Sequence, residues 1–148
     1  MTKDIAGLRD ALMDLTGVLN HPGPDEALLA TAGIALERAL FPLLVRIARL
    51  GPLGVVELAD LAGRDYTTVS RQLARLEELG LVERRPGAAD KRVREAVVTT
   101  AGRALVGRID TAREKIMGGM LADWSDAEFA TLVKLLRRLA DAALTRLE

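Results

Sequence analysis

Between Arg84 and Arg94 the chain carries five cations, Arg84, Arg85, Lys91, Arg92 and Arg94, against one carboxylate, Asp90. Guanidinium and ammonium groups at this density suit one kind of chemistry, neutralising the oxygens of a polyanion. Arginine adds a planar fork that matches phosphate. The local charge of +4 stands out because the whole chain sums to zero, so the remainder sums to −4. Charge concentrated in this way fits a docking patch better than a bulk polycation. Pro86, Gly87, Ala88 and Ala89 separate the cations, and the run that follows, REAVVT, alternates and is rich in β-branched residues.

A second set precedes it. Tyr66, Thr67, Thr68, Ser70, Arg71 and Arg75 put hydroxyls and guanidiniums on one short stretch. Such groups bond base edges as well as phosphates. Taken alone, they also fit a solvated helix face with small hydroxyls near its start. Other chemistries find little support. Without Cys there is no disulfide framework, thiolate metal site or thiol switch. The one histidine, His21, lies in the turn-like NHPGPD and reads as a solvated loop residue. There is no Gly-rich phosphate loop, and Glu77-Glu78 reads as helix-surface solvation, so the chain is not expected to be an enzyme or to hold a metal or cofactor. Apolar residues make up 49% and support a core, with aromatics at only 3%, so that core is expected to be Leu, Ala and Val. No stretch of 18 uninterrupted apolar residues occurs and the N-terminus lacks a signal-peptide core, so no membrane partner and a cytoplasmic location are expected.

The elements that must position these groups can be read from periodicity. Val56, Leu58, Ala59 and Leu61 predict a short helix over residues 55–62. GRD makes a turn, Asp65 caps a second helix, and Val69, Leu73, Leu76 and Leu79 form its apolar stripe up to Gly80. Two short helices joined by a Gly-containing turn form a helix-turn-helix. The strand-like LVERR and VREAVVT then predict a β-hairpin whose basic loop projects as a wing. Arg92 at its tip would enter a narrow minor groove, with Asp90 as a brace that fixes its direction.

Upstream, Ile5, Leu8, Leu12, Leu15 and Leu19 mark one helical face, ended by HPGP. A second helical stretch begins near Asp25 and is interrupted at Gly33. Pro42 should kink the next run or mark its first turns, and Gly51-Pro52 ends it. Downstream, Thr99 is placed to cap a helix from Thr100 to about Leu121, and Ser125 with Glu128 forms a capping box. Phe129, Leu132, Leu136, Leu139, Ala143 and Leu147 then recur at helical spacing. This terminal stripe needs an apolar partner, either the chain's own core or a second subunit. A homodimer is the favoured reading, because a winged helix already closes its own core.

The motifs Thr68-Val69-Ser70-Arg71, Arg75-Leu76-Glu77, Gly80-Leu81-Val82, Asp90-Lys91-Arg92, Val98-Thr99 and Gly102 resemble, in order and spacing, the signature of the MarR family, the multiple-antibiotic-resistance-type regulators. The resemblance spans roughly residues 33 to 147. It implies winged-helix homodimers on double-stranded DNA, many of them repressors relieved by small lipophilic or phenolic effectors bound between dimer helices and winged-helix lobe. Arg92 matches the family's minor-groove arginine, Asp90 its partner, and Arg71 a base- or phosphate-contacting arginine. Two departures are Pro42 and the pair Gly118-Gly119, each within a helix. No effector-lining residue is assigned; Trp124 and Phe41 are expected to pack as core.

The fold class expected is therefore mainly α with a small β-hairpin. Residues 1–33 are N-terminal dimerisation helices, residues 34–100 the winged helix-turn-helix domain, and residues 101–148 C-terminal linker and dimerisation helices. The function expected is sequence-specific transcriptional regulation, as a homodimeric repressor of a pseudo-palindromic operator. The alternative is a winged helix used as a protein-interaction module.

Overall fold

A computed structural model describes residues 2–147. Its elements run α1 (Ile5–Asn20), α2 (Pro22–Ala32), α3 (Phe41–Leu50), β1 (Leu53–Gly54), α4 (Val55–Ala62), α5 (Tyr66–Glu78), β2 (Val82–Pro86), β3 (Arg94–Val98), α6 (Thr100–Met120) and α7 (Asp126–Leu144). The protein is mainly helical with a three-stranded antiparallel sheet in the order β1-β3-β2. The hairpin expected from the sequence thus gains a third strand. Leu53 lies opposite Ala96 and Gly54 opposite Glu95, a pairing of two residues that is too short to show alternation.

The helix ends follow local chemistry. Asp4 caps α1 by accepting from the Gly7 amide at 2.8 Å. α2 begins three residues earlier than expected, at Pro22, because His21 supplies its cap: Nδ1 accepts from the Gly23 amide at 3.0 Å. His21 is exposed as expected, but it has this structural task. Gly33 ends α2 with φ of 68°, a left-handed conformation that glycine adopts without a Cβ clash. Pro42 sits in the first turn of α3, where its missing N–H costs nothing, so it starts the helix rather than kinking it.

The described residues form two compact units, one ending at Arg113 and one beginning at Glu114. The first holds two adjoining apolar clusters. Leu43, Leu44 and Ile47 of α3, Leu58 of α4, and Val69, Leu73 and Leu76 of α5 pack with Val82 and Ala96 of the sheet. Phe41 packs instead with Leu28, Leu29, Ile109 and Ala112, so it is core as expected. Each fully buried Leu or Ile contributes about 1.5–3 kcal/mol of transfer free energy, and this cluster is what holds α5 in a fixed pose. Gly102 joins α6 to the sheet. Its missing side chain lets the helix lie directly on the Leu81 carbonyl and Val98. Thr99 fixes the same junction: its Oγ1 donates to the Gly80 carbonyl at 2.7 Å and accepts from the Gly102 amide at 3.0 Å.

In the second unit α7 starts at the capping box expected from the sequence. The Glu128 amide donates to Ser125 Oγ at 3.1 Å and the Ser125 amide to Glu128 Oε2 at 2.8 Å. No described residue of α7 is buried. Trp124 departs from its expected core position. It is 44% exposed and borders an open hollow of about 330 Å³ with Met117, Leu121 and Phe129.

Candidate nucleic-acid interface

α4 and α5 form the helix-turn-helix, and the buried stripe Val69, Leu73 and Leu76 decides which way α5 presents its other side chains. The opposite face carries Thr67, Arg71, Ala74, Arg75 and Glu78, with Ser70 half-buried at its flank. Tyr66 is exposed at the first turn. Arg71 makes no hydrogen bond or ion pair with another described residue, so its five donors face solvent.

Two of the six expected contact residues are already engaged. Thr68 turns back to the N-cap: its amide donates to Asp65 Oδ2 at 3.0 Å and its hydroxyl to Oδ1 at 2.6 Å. These bonds, the side-chain one first, and the charge of Arg71 hold the Asp65 carboxyl below the usual carboxylate range. Arg75 is paired twice, Nε with Glu37 Oε1 at 3.3 Å and Nη1 with Glu78 Oε2 at 3.2 Å.

The sequence reading missed Arg64 and Arg46. Arg64 Nη1 donates to the Ala39 carbonyl and to Gln72 Oε1, both at 2.9 Å, from the turn between the two helices. Arg46 on α3 is half-buried. That burial, with Arg49 and Arg64 nearby, pushes its guanidinium below its ordinary value. Arg46, Arg49 and Arg64 thus form a second group of cations outside the wing. Nothing in the local sequence signals this, because Arg64 lies in the turn before α5 while Arg46 and Arg49 lie on α3.

The wing is built from β2, β3 and the loop 87–93. Arg84 lies opposite Ala96, Arg85 opposite Glu95 and Pro86 opposite Arg94. The loop closes on itself. The Gly87 amide donates to the Val93 carbonyl at 2.7 Å, and the Val93 amide to the Asp90 carbonyl at 3.1 Å. Glu95 reaches across to accept from the Ala88 amide at 3.2 Å. A Cβ at Gly87 would collide with the Asp90 carbonyl and the Glu95 carboxylate, so this turn needs glycine.

At the tip, the Arg92 amide donates to Asp90 Oδ1 at 3.0 Å, its Nε to Oδ1 at 3.2 Å and its Nη2 to Oδ2 at 3.2 Å. These bonds hold the Asp90 carboxyl below its ordinary value. The Arg92 side chain is nonetheless 91% exposed. Lys91 beside it is exposed and unpaired among the described residues. The other wing cations are less free. Arg85 pairs with Glu83 at 2.9 Å, Arg94 Nη2 donates to the Arg84 carbonyl at 3.2 Å, and Arg84 is half-buried with its Nε lacking a partner.

The fold is similar to that of known proteins. A family model described as HVO_A0114 matches residues 36–97, the segment from just before α3 through β3. The chain is 35% identical over 107 residues to YxaD, an HTH-type transcriptional regulator of Bacillus subtilis (strain 168), covering 72% of this chain and 75% of YxaD. Among solved structures, the crystal structure of MarR is similar at 28% identity and a TM-score of 0.69, covering 99% of this chain and 96% of that one. A MarR-family protein of Listeria monocytogenes, complexed with 26mer DNA, is similar at 25% identity and a TM-score of 0.69, over 95% of this chain and 89% of that one. The helix-turn-helix, the three-stranded sheet with its wing and these likenesses agree, and the chain belongs to the MarR family of winged helix-turn-helix transcriptional regulators.

Proposed function

We propose that the protein binds a pseudo-palindromic DNA operator as a homodimeric repressor and is released by a small lipophilic or phenolic effector. The observation that carries the DNA reading is the wing tip: an arginine nearly free of the protein surface, yet directed by three hydrogen bonds to Asp90. A side chain held extended before docking loses less rotamer entropy on binding. Arg92 in a minor groove would supply electrostatic attraction where the groove is narrow. Thr67, Ser70 and Arg71 on α5 would read the adjacent major groove, and Lys91, Arg84 and Arg64 would meet phosphates.

Dimerisation is supported by apolar faces left uncovered on α1 and α7. Ile5, Leu8, Leu12, Leu15 and Leu19 are exposed on α1, as are Phe129, Val133, Leu136 and Leu139 on α7. Helices this apolar require cover, and residues 1–33 and 101–148 supply the surfaces for a second copy. The winged helix-turn-helix of residues 34–100 is the reading part in this scheme. A two-fold dimer sets its two α5 helices about 34 Å apart, one DNA turn. No helix among the described residues is long and apolar enough to cross a membrane, in keeping with a cytoplasmic DNA target.

Footprinting of the full-length protein on the DNA upstream of its own coding region tests the proposal. Two protected half-sites, related by inverted symmetry and centred about one helical turn apart, are expected. A single asymmetric footprint would overturn the dimeric operator, and no protection at any site would overturn specific binding.

A further inference from the structure

Residues 33–40, between α2 and α3, are tied down at three points. Arg108 Nη2 of α6 donates to the carbonyls of Ala32 and Gly33, both at 2.8 Å. Arg64 of the helix-turn-helix turn donates to the Ala39 carbonyl at 2.9 Å. The third tie is between side chains: Glu37 Oε1 accepts from Arg75 Nε at 3.3 Å. It joins the segment to the helix that faces DNA in the function proposed above, and the inference rests on that reading.

Arg75 stands one helical turn beyond Arg71 on the outward side of α5. Its two carboxylate partners differ in kind. Glu78 is three residues along the same helix, so it travels with Arg75 and can orient it in any state. Glu37 is 38 residues away, on a segment anchored to α6. The pair is open to solvent, with side chains 48% and 63% exposed, so its exchange for a phosphate strips little water from either group. Carboxylate and phosphate suit guanidinium geometry almost equally well. We propose that Glu37 is a positioning residue that competes with DNA phosphate for Arg75. In the DNA-free protein Glu37 holds the Nε side of the guanidinium, and on docking a phosphate oxygen replaces it while Nη1 stays on Glu78. The number of cations that α5 offers to DNA then depends on where residues 33–40 lie relative to it. The bonds that Arg75 donates to Glu78 and then to Glu37 raise its guanidinium above its ordinary value, and a guanidinium stays charged with or without either partner.

The test is a double-mutant cycle on the full-length protein. Wild type, Glu37→Gln, Arg75→Ala and the double variant are titrated by fluorescence anisotropy, over a range of salt, on the DNA fragment defined by the footprint. Glu37→Gln should bind about two- to fivefold tighter per subunit, the strength of an exposed ion pair. Its salt slope should match wild type, since Arg75 ends on phosphate in both. Arg75→Ala should flatten the slope by about 0.9 per subunit. In the Arg75→Ala background Glu37→Gln should change nothing, because contacting groups are not additive. An equal gain in both backgrounds would reduce Glu37 to a general repulsive charge and overturn the proposal. Weaker binding by Glu37→Gln would make it a structural tie and overturn it as well. Wild-type protein without salt-dependent binding would instead overturn the DNA reading itself, an outcome the cycle keeps separate.

Discussion

Asp90 grips Arg92 through both carboxylate oxygens, at 3.0 and 3.2 Å, while the arginine side chain remains 91% exposed. A carboxylate at a DNA-facing tip should repel phosphate. Here it accepts from the backbone amide as well as the guanidinium, so it shapes the turn and aims the cation together. The two roles make opposite predictions for its removal. Asp90→Ala should weaken DNA binding although it deletes a negative charge, and Arg92→Ala with Asp90→Ala should be little worse than Arg92→Ala alone. Anisotropy titrations at two salt concentrations decide it, and tighter binding by Asp90→Ala would leave Asp90 an ordinary turn residue.

The same bonds fix a pH dependence. The Asp90 carboxyl lies below its ordinary value because Arg92 donates to it from side chain and then from backbone. For a depressed carboxylate, the stabilisation is present in full above the unfolded-chain value and is lost as pH falls through the folded one. The wing tip should therefore be unaltered from neutral pH down to the ordinary carboxylate range and loosen only below it. Carboxyl carbon shifts followed by NMR should show Asp90 titrating below a typical aspartate, and moving back up in Arg92→Ala. An unchanged titration in that variant would remove the brace.

Arg71 has no partner among the described residues and lies at the centre of the outward face of α5. Arg71→Ala should cost about 1–3 kcal/mol on the best operator and relax the choice of base at one position per half-site. Selection of bound sequences from a randomised operator pool measures this. A uniform loss over all sequences would make Arg71 a phosphate contact.

Gly102 and the pair Gly118-Gly119 all lie in α6 and should respond in opposite directions to alanine. At Gly102 a Cβ would fall on the Leu81 carbonyl and against Val98, and backbone cannot give way cheaply. Gly102→Ala should lower stability by about 1–3 kcal/mol, the usual cost of overpacking. At Gly118 and Gly119 an added Cβ meets nothing within 4 Å. Alanine there should stabilise the helix by about 1 kcal/mol per site in thermal or denaturant unfolding. A loss of stability or of dimer at those two sites would place a second copy against them.

Much of this arrangement was legible because it is local. Asp65, Thr99 and Ser125 cap the helices that the spacing of their apolar residues predicts, and the small residues of the wing loop sit between two strand-like runs. Even the Asp90–Arg92 contact spans only two positions. What escaped is non-local. β1 is two residues held by register with β3, and its pairing leaves no trace in Leu53 and Gly54 themselves. Arg75 looks like any outward arginine until the fold brings Glu37 to it. Trp124, expected to pack as core, borders a hollow that the described residues do not close. His21 looked like an idle loop residue because a histidine cap has no strong sequence signature.

The central claim is that α5 and the wing together read DNA, and that the positive surface does not serve a protein partner. The measurement is the affinity of the full-length protein for its footprinted fragment and for a scrambled one of equal length, over a range of salt. The account predicts a linear fall of log affinity with log salt, and a preference of about a thousandfold or more for the footprinted fragment. Equal affinity for both fragments would contradict sequence reading by α5. Affinity indifferent to salt would contradict the docking role of Arg92 and its neighbours.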